Sequence, residues 1–338
     1  MARSSDSYRS PYAAAYAGRR VAITGGAGFI GSHLTSELLD LGAQVSVIDD
    51  LSAGDGQHLW YLIDTYPDRL RFHFASILEP RALKEALQDC QVVFHLAAMN
   101  SVQRSVEEPE RCFAVNATGT VRVANAARDT GATRLVYAGS SSVYGDDPAL
   151  PKSESMLPRP LSPYAASKYA GETVVRSWWH SYGLSGVCLR FFNVFGPRQP
   201  ADGAYASVVP AFIRRLSVGQ RPSIYGDGSQ SRDFTPVANV VHAVLLAGAA
   251  DPATVSGQSI NIGCAERTTI LQLASTLARL VGRQDLKPQF QEPRAAEVPH
   301  SVASIDLARR LLGYEPIKPV EDGLAETVAW MSRAAAAV

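Results

Sequence analysis

Short apolar runs rich in β-branched and aromatic residues recur at 21–24, 45–48, 70–74, 92–96, 135–138 and 187–192. Between them lie longer stretches, 30–41, 80–87, 116–128 and 164–182, in which apolar residues return with helical spacing; Gly42 closes the first. Strands that are apolar throughout, alternating with helices, predict an α/β fold: a doubly wound parallel sheet covered on both faces. After Phe192 the alternation loosens. Gly196-Pro197-Arg198, Asp202-Gly203 and Gly226-Asp227-Gly228 punctuate the chain, as loops around a ligand site would, and helical spacing returns at 236–250, 270–281 and 305–312. The pattern therefore predicts a nucleotide-binding domain over 19–190, joined by part of 236–265, and a smaller, partly interleaved lobe over 191–338. Residues 1–18 read as a flexible or peripheral extension, and Ala334-Ala335-Ala336-Ala337 as a frayed helix end. No internal repeat is visible.

Composition narrows the function. Of 338 residues, 46% are hydrophobic and 19% charged, which excludes disordered and fibrous classes. Lys+Arg and Asp+Glu are both 32, and this balance, without a basic cluster, argues against nucleic acid or an anionic membrane as partner. No apolar run is long enough to span a bilayer and the first residues lack a signal-peptide core, so a cytoplasmic location is expected. Cys90, Cys112, Cys188 and Cys264 are scattered and read as small buried hydrophobes. No His, Cys or carboxylate spacing points to a metal.

Directly after the first strand stands Thr24-Gly25-Gly26-Ala27-Gly28-Phe29-Ile30-Gly31, opening into a helix. Glycines 25, 28 and 31 allow a tight turn, close backbone approach to a pyrophosphate and close packing of helix on strand, the Rossmann arrangement. The second strand ends in Asp49-Asp50, where a carboxylate accepts from ribose hydroxyls. Asp49 favours NAD over NADP, since a 2′-phosphate would meet like charge.

Tyr164 and Lys168 are four apart in a helical stretch and share one face. A nearby ammonium and the positive nicotinamide ring would favour the phenolate of an otherwise weakly acidic Tyr. Ser140-Ser141-Ser142-Val143-Tyr144-Gly145 follows a strand whose end should open on the cofactor crevice. Tyr, Lys and a hydroxyl there form a proton-transfer set for an alcohol carbon that gives up hydride. His33 and His95 are more simply packed imidazoles than ligands, and Trp178-Trp179 more simply core or subunit packing.

With these motifs in order, the sequence resembles the extended short-chain dehydrogenase/reductase superfamily over residues 19–330, and within it the nucleotide-sugar 4-epimerases. Further matching stretches are Phe94-His95-Leu96-Ala97-Ala98, Asn116-Ala117-Thr118-Gly119-Thr120, Arg190-Phe191-Phe192-Asn193-Val194-Phe195-Gly196-Pro197-Arg198 and Gly226 to Phe234. It is similar in particular to bacterial epimerases acting on UDP-N-acetylglucosamine. The resemblance implies Tyr164 as base, Ser140 as its hydroxyl partner with Ser142 as the alternative, and Lys168 bridging the nicotinamide ribose. It assigns to NAD the glycine loop, Asp49, Asp50, Ser76, Ile77, Leu96, Ala97, Ala98 and Asn116. To the UDP-sugar it assigns Ser101, Ser140, Ser141, Ser142, Asn193, Ala206, Val209, Tyr225, Arg232, Arg294 and Ser301, the arginines and Asn193 on the diphosphate and Tyr225 near uracil. It also implies a homodimer built on helices from 102–128 and 162–182.

The sequence departs from that family at Ala75-Ser76, where Gly-Asp is usual, and at Glu297 and Pro299. The acid pair that related dehydratases carry after the catalytic hydroxyl is replaced by Ser141 and Ser142, which removes the groups for water loss and favours epimerisation. Ser301 matches a position where epimerases restricted to non-acetylated hexoses carry a bulky Tyr, so room for a 2-acetamido group is expected. The competing readings are a UDP-glucuronate 4-epimerase, another NAD-dependent nucleotide-sugar modifier, and a non-catalytic NAD-binding regulator.

Overall fold

The computed structural model describes residues 10–54, 56–201, 207–293 and 298–336. In chain order the first part comprises α1 (Ser10–Tyr16), β1 (Arg20–Thr24), α2 (Phe29–Asp40), β2 (Gln44–Asp49), α3 (Gln57–Thr65), β3 (Leu70–Phe74), α4 (Pro80–Ala86) and β4 (Val92–His95). It continues through α5 (Val102–Glu107), α6 (Pro109–Phe113), a π-helical turn (Ala114–Thr118), α7 (Gly119–Asp129), β5 (Arg134–Ser140), α8 (Pro163–Tyr182) and β6 (Gly186–Phe191). There follow β7 (Val194–Phe195), α9 (Val208–Ser217), β8 (Ser223–Tyr225), β9 (Ser231–Arg232), β10 (Thr235–Pro236), α10 (Val237–Ala249), α11 (Pro252–Val255) and β11 (Ser259–Ile262). The chain closes with β12 (Thr268–Thr269), α12 (Ile270–Leu280), β13 (Gln289–Gln291), α13 (Asp306–Leu312) and α14 (Val320–Ala336).

Seven strands form one parallel sheet in the order β11-β6-β5-β4-β1-β2-β3. The order reverses between β1 and β4, and their C-terminal ends open the crevice in which such sheets take ligands. The central strands are buried along their length, as their unbroken apolar sequences require. One face is covered by α1, α2 and α10, the other by α4, α7 and α8. A separate apolar core joins α9, α12 and α14 in the second lobe. α8 starts where Ser162 Oγ accepts from the Ala165 amide at 3.1 Å and stops at Gly183, whose φ of 72° a side chain would resist.

The expected peripheral extension is corrected over α1. Tyr12 and Tyr16 are buried in the sheet's own core, and the Tyr16 hydroxyl donates to the Leu245 carbonyl at 2.7 Å. A Cβ on Gly248 would stand 2.4 Å from that hydroxyl, so α10 is shaped to receive the helix. The frayed helix end is likewise the close of α14, which runs to Ala336; residues 1–9 and 337–338 lie outside the described residues. Among the described residues no helix is long and apolar enough to cross a membrane.

Candidate active site

The glycine turn is fixed by contact. A Cβ at Gly25, where φ is 74°, would lie 2.6 Å from the Ala97 amide nitrogen, and one at Gly31 would lie 2.0 Å from the Gly25 carbonyl oxygen. Phe29, Ile30 and Gly31 open α2, whose N-cap, Gly28, offers no side-chain cap, so first-turn amides face outward as a phosphate site requires. Asp49 ends β2 against this loop. Its carboxylate accepts from the amides of Ala27 at 3.0 Å and Leu51 at 2.9 Å, while burial raises its pKa against the pull of those bonds. Asp50 is exposed and accepts from the Ser52 amide. Ser76 turns the chain after β3, its hydroxyl accepting from the Leu78 amide, and Leu96, Ala97 and Ala98 follow β4 at the crevice, all half-buried. Two assigned cofactor residues have buried side chains. The Ile77 side chain is buried beneath Gly119. Asn116 is buried too, its amide spent on Met99, Cys112 and Ser167, because it sits in the π-helical turn behind the crevice.

At the end of β5, Ser140 Oγ is 2.9 Å from Ser142 Oγ and accepts from the Ser142 amide, and Ser141 begins the short helical turn to Tyr144. Of the two candidate hydroxyls, Ser140 is the one near enough to the Tyr164 phenol to pull its pKa down. Tyr164 and Lys168 occupy the first two turns of α8, and Ser105 Oγ accepts from the Tyr164 amide at 3.0 Å. Among the protein's own groups the expected phenolate is not favoured: burial raises the Tyr164 pKa, and the Ser140 hydrogen bond opposes it only in part. Lys168 is 4% exposed and burial brings its ammonium down to about 8. His95 is a packed imidazole, 2.7 Å from Thr24 Oγ1 and 3.0 Å from Thr120 Oγ1, and His33 lies 2.9 Å from the Pro197 carbonyl. Trp178 donates to Asn125 Oδ1 on α7.

The lobe supplies the opposite wall. Asn193, held at φ 26°, donates to the Asp233 carbonyl at 3.4 Å. Arg232 on β9 donates to the carbonyls of Ser231 and Pro299, and Ser301 pairs its amide with the Ser231 carbonyl at 3.0 Å, so Arg232 and Ser301 stand on neighbouring segments. Tyr225 ends β8, partly exposed beside Gln291 of β13. Ser101 caps α5, accepting from the Arg104 amide at 3.2 Å. The Val209 side chain packs into the lobe core between α9, α12 and α14. Ala206, Arg294 and Glu297 lie outside the described residues.

Sequence reasoning missed three supports. Arg267 donates to Ser231 Oγ at 2.7 Å and lies 3.0 Å from His300 Nδ1, stiffening the segments that carry Arg232 and Ser301. Asp233, wholly buried, accepts from the amides of Cys264, Ala265 and Ala303, and burial pushes its carboxyl up to about 6. Arg190 grips Glu172 of α8 at 2.9 and 2.6 Å, tying the helix of Tyr164 to β6, and also donates to Tyr144. The only signal for these is a charged residue inside an otherwise apolar run, visible at Arg190 alone.

The glycine cradle, the uncapped helix start and a buried acid at the end of β2 together fit a dinucleotide's pyrophosphate and ribose. The model of the NAD dependent epimerase/dehydratase family matches residues 21–263. The chain belongs to this family. Within it, the protein is an extended short-chain dehydrogenase/reductase of the nucleotide-sugar 4-epimerase type, and its cofactor is NAD. This epimerase is 40% identical over 312 residues to the UDP-glucose 4-epimerase of Mycolicibacterium smegmatis, covering 91% of this chain and 97% of that one. It superposes with a TM-score of 0.86 and 34% identity on the UDP-N-acetylglucosamine 4-epimerase of Methanobrevibacter ruminantium in complex with UDP-N-acetylmuramic acid, covering 94% and 99% of the two chains. A variant of the UDP-glucuronic acid 4-epimerase of Bacillus cereus, in complex with UDP-4-deoxy-4-fluoro-glucuronic acid and NAD, superposes with a TM-score of 0.86 at 29% identity, covering 93% and 99%.

Proposed function

We propose that this epimerase interconverts UDP-N-acetylglucosamine and UDP-N-acetylgalactosamine, and accepts UDP-glucose and UDP-galactose as well. The observations that carry the reading are Tyr164 and Lys168 in the first two turns of α8 with Ser140 at the end of β5, and a small residue, Ser301, on the segment beside Arg232. Tyr164 takes the proton of the sugar 4-hydroxyl, with Ser140 holding the shared hydrogen bond, so that carbon 4 becomes a ketone. NAD, held by the glycine turn and Asp49, would supply the reversible hydride acceptor for carbon 4, and Tyr164 would return the proton to the oxygen when the hydride comes back to the opposite face. Lys168 keeps positive charge beside the phenol and reaches the nicotinamide ribose. Arg232, Asn193 and Arg294 hold the diphosphate while the sugar turns about its link to phosphate, which is why firm nucleotide contacts accompany sparse sugar contacts. Arg guanidinium groups suit this because their donor fork matches phosphate oxygens.

Ser301 decides between sugar classes by volume: a 2-acetamido group fits over a hydroxymethyl side chain and clashes with a phenol. The test is incubation of the purified protein with acetylated, non-acetylated and glucuronate UDP-sugars, separating products. Acetylated sugars should turn over, and Ser301→Tyr should abolish that turnover while sparing UDP-galactose. Turnover of UDP-glucuronate alone would replace the reading with the uronate one, and no turnover of any sugar would favour a binding regulator.

A further inference from the structure

The ammonium of Lys168 is nearly closed off from water, yet no carboxylate pairs with it among the described residues. Its Nζ lies 4.6 Å from the centroid of the Tyr137 ring. Tyr137 stands on β5 directly under α8, 1% exposed, and its hydroxyl donates to the backbone carbonyl of Lys168 at 3.1 Å. The fit is close: a Cβ at Gly171 would lie 2.3 Å from the Tyr137 hydroxyl, so only glycine at 171 lets the helix settle on the ring. The His95 ring abuts the far side of the same tyrosine, centroids 5.5 Å apart.

We infer that Tyr137 is a positioning residue for Lys168: its ring face is the counter-charge that holds the buried ammonium protonated and aimed into the crevice, and its hydroxyl fixes the helix carbonyl above it. This rests on the reading of Lys168 as part of the catalytic set. An aromatic quadrupole attracts a desolvated cation without the strong Coulombic pull of a carboxylate, which would draw the ammonium down into the core. The other groups facing Lys168 cannot substitute. Cys188 on β6 is a thiol that burial holds neutral, Cys112 on α6 is buried against Ser167 and Asn116, and His95 on β4 is held uncharged, its imidazole pushed down to about 3 by burial and by Lys168. Along α8, Tyr164 points its phenol at Ser140, and Glu172 is spent on Arg190 and Ser259.

The chain has five lysines, Lys84, Lys152, Lys168, Lys287 and Lys318, so Lys168 can be followed directly by NMR of protein carrying 13Cε-lysine, its signal identified by loss in Lys168→Met. Tyr137→Phe keeps the ring face and should leave the Lys168 titration in place. Phenylalanine fluorinated at one, two and three ring positions, introduced at 137, keeps the shape but strips the negative face. It should lower the Lys168 pKa stepwise, by about one unit over the series, with the basic limb of the kcat profile following. A Lys168 titration that stays put across the fluorinated series, in protein of unchanged circular dichroism, overturns the inference alone. Wild-type turnover in Lys168→Met would overturn the catalytic reading of Lys168, and the positioning role with it.

Discussion

At the scale of single residues, the proposed chemistry turns on a phenol that the protein alone does not ionise. Burial raises the Tyr164 pKa and Ser140 pulls against it only in part, so its work as base depends on the positive nicotinamide ring that NAD would bring beside it. Tyr164→Phe should lower kcat by about 10²- to 10⁴-fold while UDP-sugar affinity, followed by calorimetry, stays within a few-fold, because the phosphate-holding side chains are untouched. Near-normal turnover would remove Tyr164 from the mechanism. The triad was legible in the sequence because it is local: a four-residue spacing on one helix and a hydroxyl at a strand end. The direction of Ile77, Asn116 and Val209 was not, since each is apolar or amide-bearing on an element whose two faces differ only in what packs on them. Arg267 and His300 meet across 33 positions with no motif to announce them.

Elements tell a similar story. α2, α8, α10, α12 and the central strands follow their apolar periodicity to within a residue or two, α9 and the long α14 went unread, and the caps Ser162 and Gly183 account for the ends of α8. α1 escaped notice because a single short helix, flanked by polar sequence, shows no periodicity to separate it from a tail. Its tyrosines nevertheless complete the core over α10. Tyr16→Ala removes a side chain with no exposed surface and a buried hydroxyl's partner, and should cost about 3–5 kcal/mol of unfolding free energy. A shift of the urea midpoint at constant m-value reads it out, and a loss below about 1 kcal/mol would mean the helix frays freely from α10. The small pairs β7 with β10, β9 with β12 and β8 with β13 are only two or three residues long, too short for an alternation to be seen.

For the whole molecule, the imidazoles that burial keeps uncharged shape the response to acid, His33, pushed down to about 4, among them. Burial pushes His95 down to about 3, with Lys168 adding to the effect, and His242 down to about 4. Both folded pKa values lie below the unfolded value near 6.5, so their contribution is full above that pH and is lost as pH falls toward the folded values, on the order of 3–5 kcal/mol each at the limit. Asp233, raised to about 6, and Asp49 and Glu154, also raised by burial, act in the opposite sense. Tm should therefore fall between pH 6.5 and 4.5, and the slope should flatten in a His95→Gln, His242→Gln protein; an unchanged slope would assign the acid response elsewhere. Subunit pairing belongs to this scale too. Val102, Val106, Phe113 and Tyr182 are exposed apolar side chains on α5, α6 and α8, the helices expected to meet across a two-fold axis. Light scattering at micromolar concentration should give a homodimer, and Val106→Lys with Phe113→Lys a monomer. A wild-type monomer would contradict the expectation.

The path of the chain through the sheet has a further consequence. β6 is left uncovered when the chain departs into the lobe, and its neighbour β11 arrives only after β7 to β10, α9, α10 and α11 have been made. On the ribosome, a nascent chain that has passed Phe191 but not yet reached Ile262 carries an apolar parallel strand with an open edge, the kind of surface that recruits the wrong partner. The last sheet strand is thus a synthesis-timed closure, and the interval between β6 and β11 is the time during which that edge stands open.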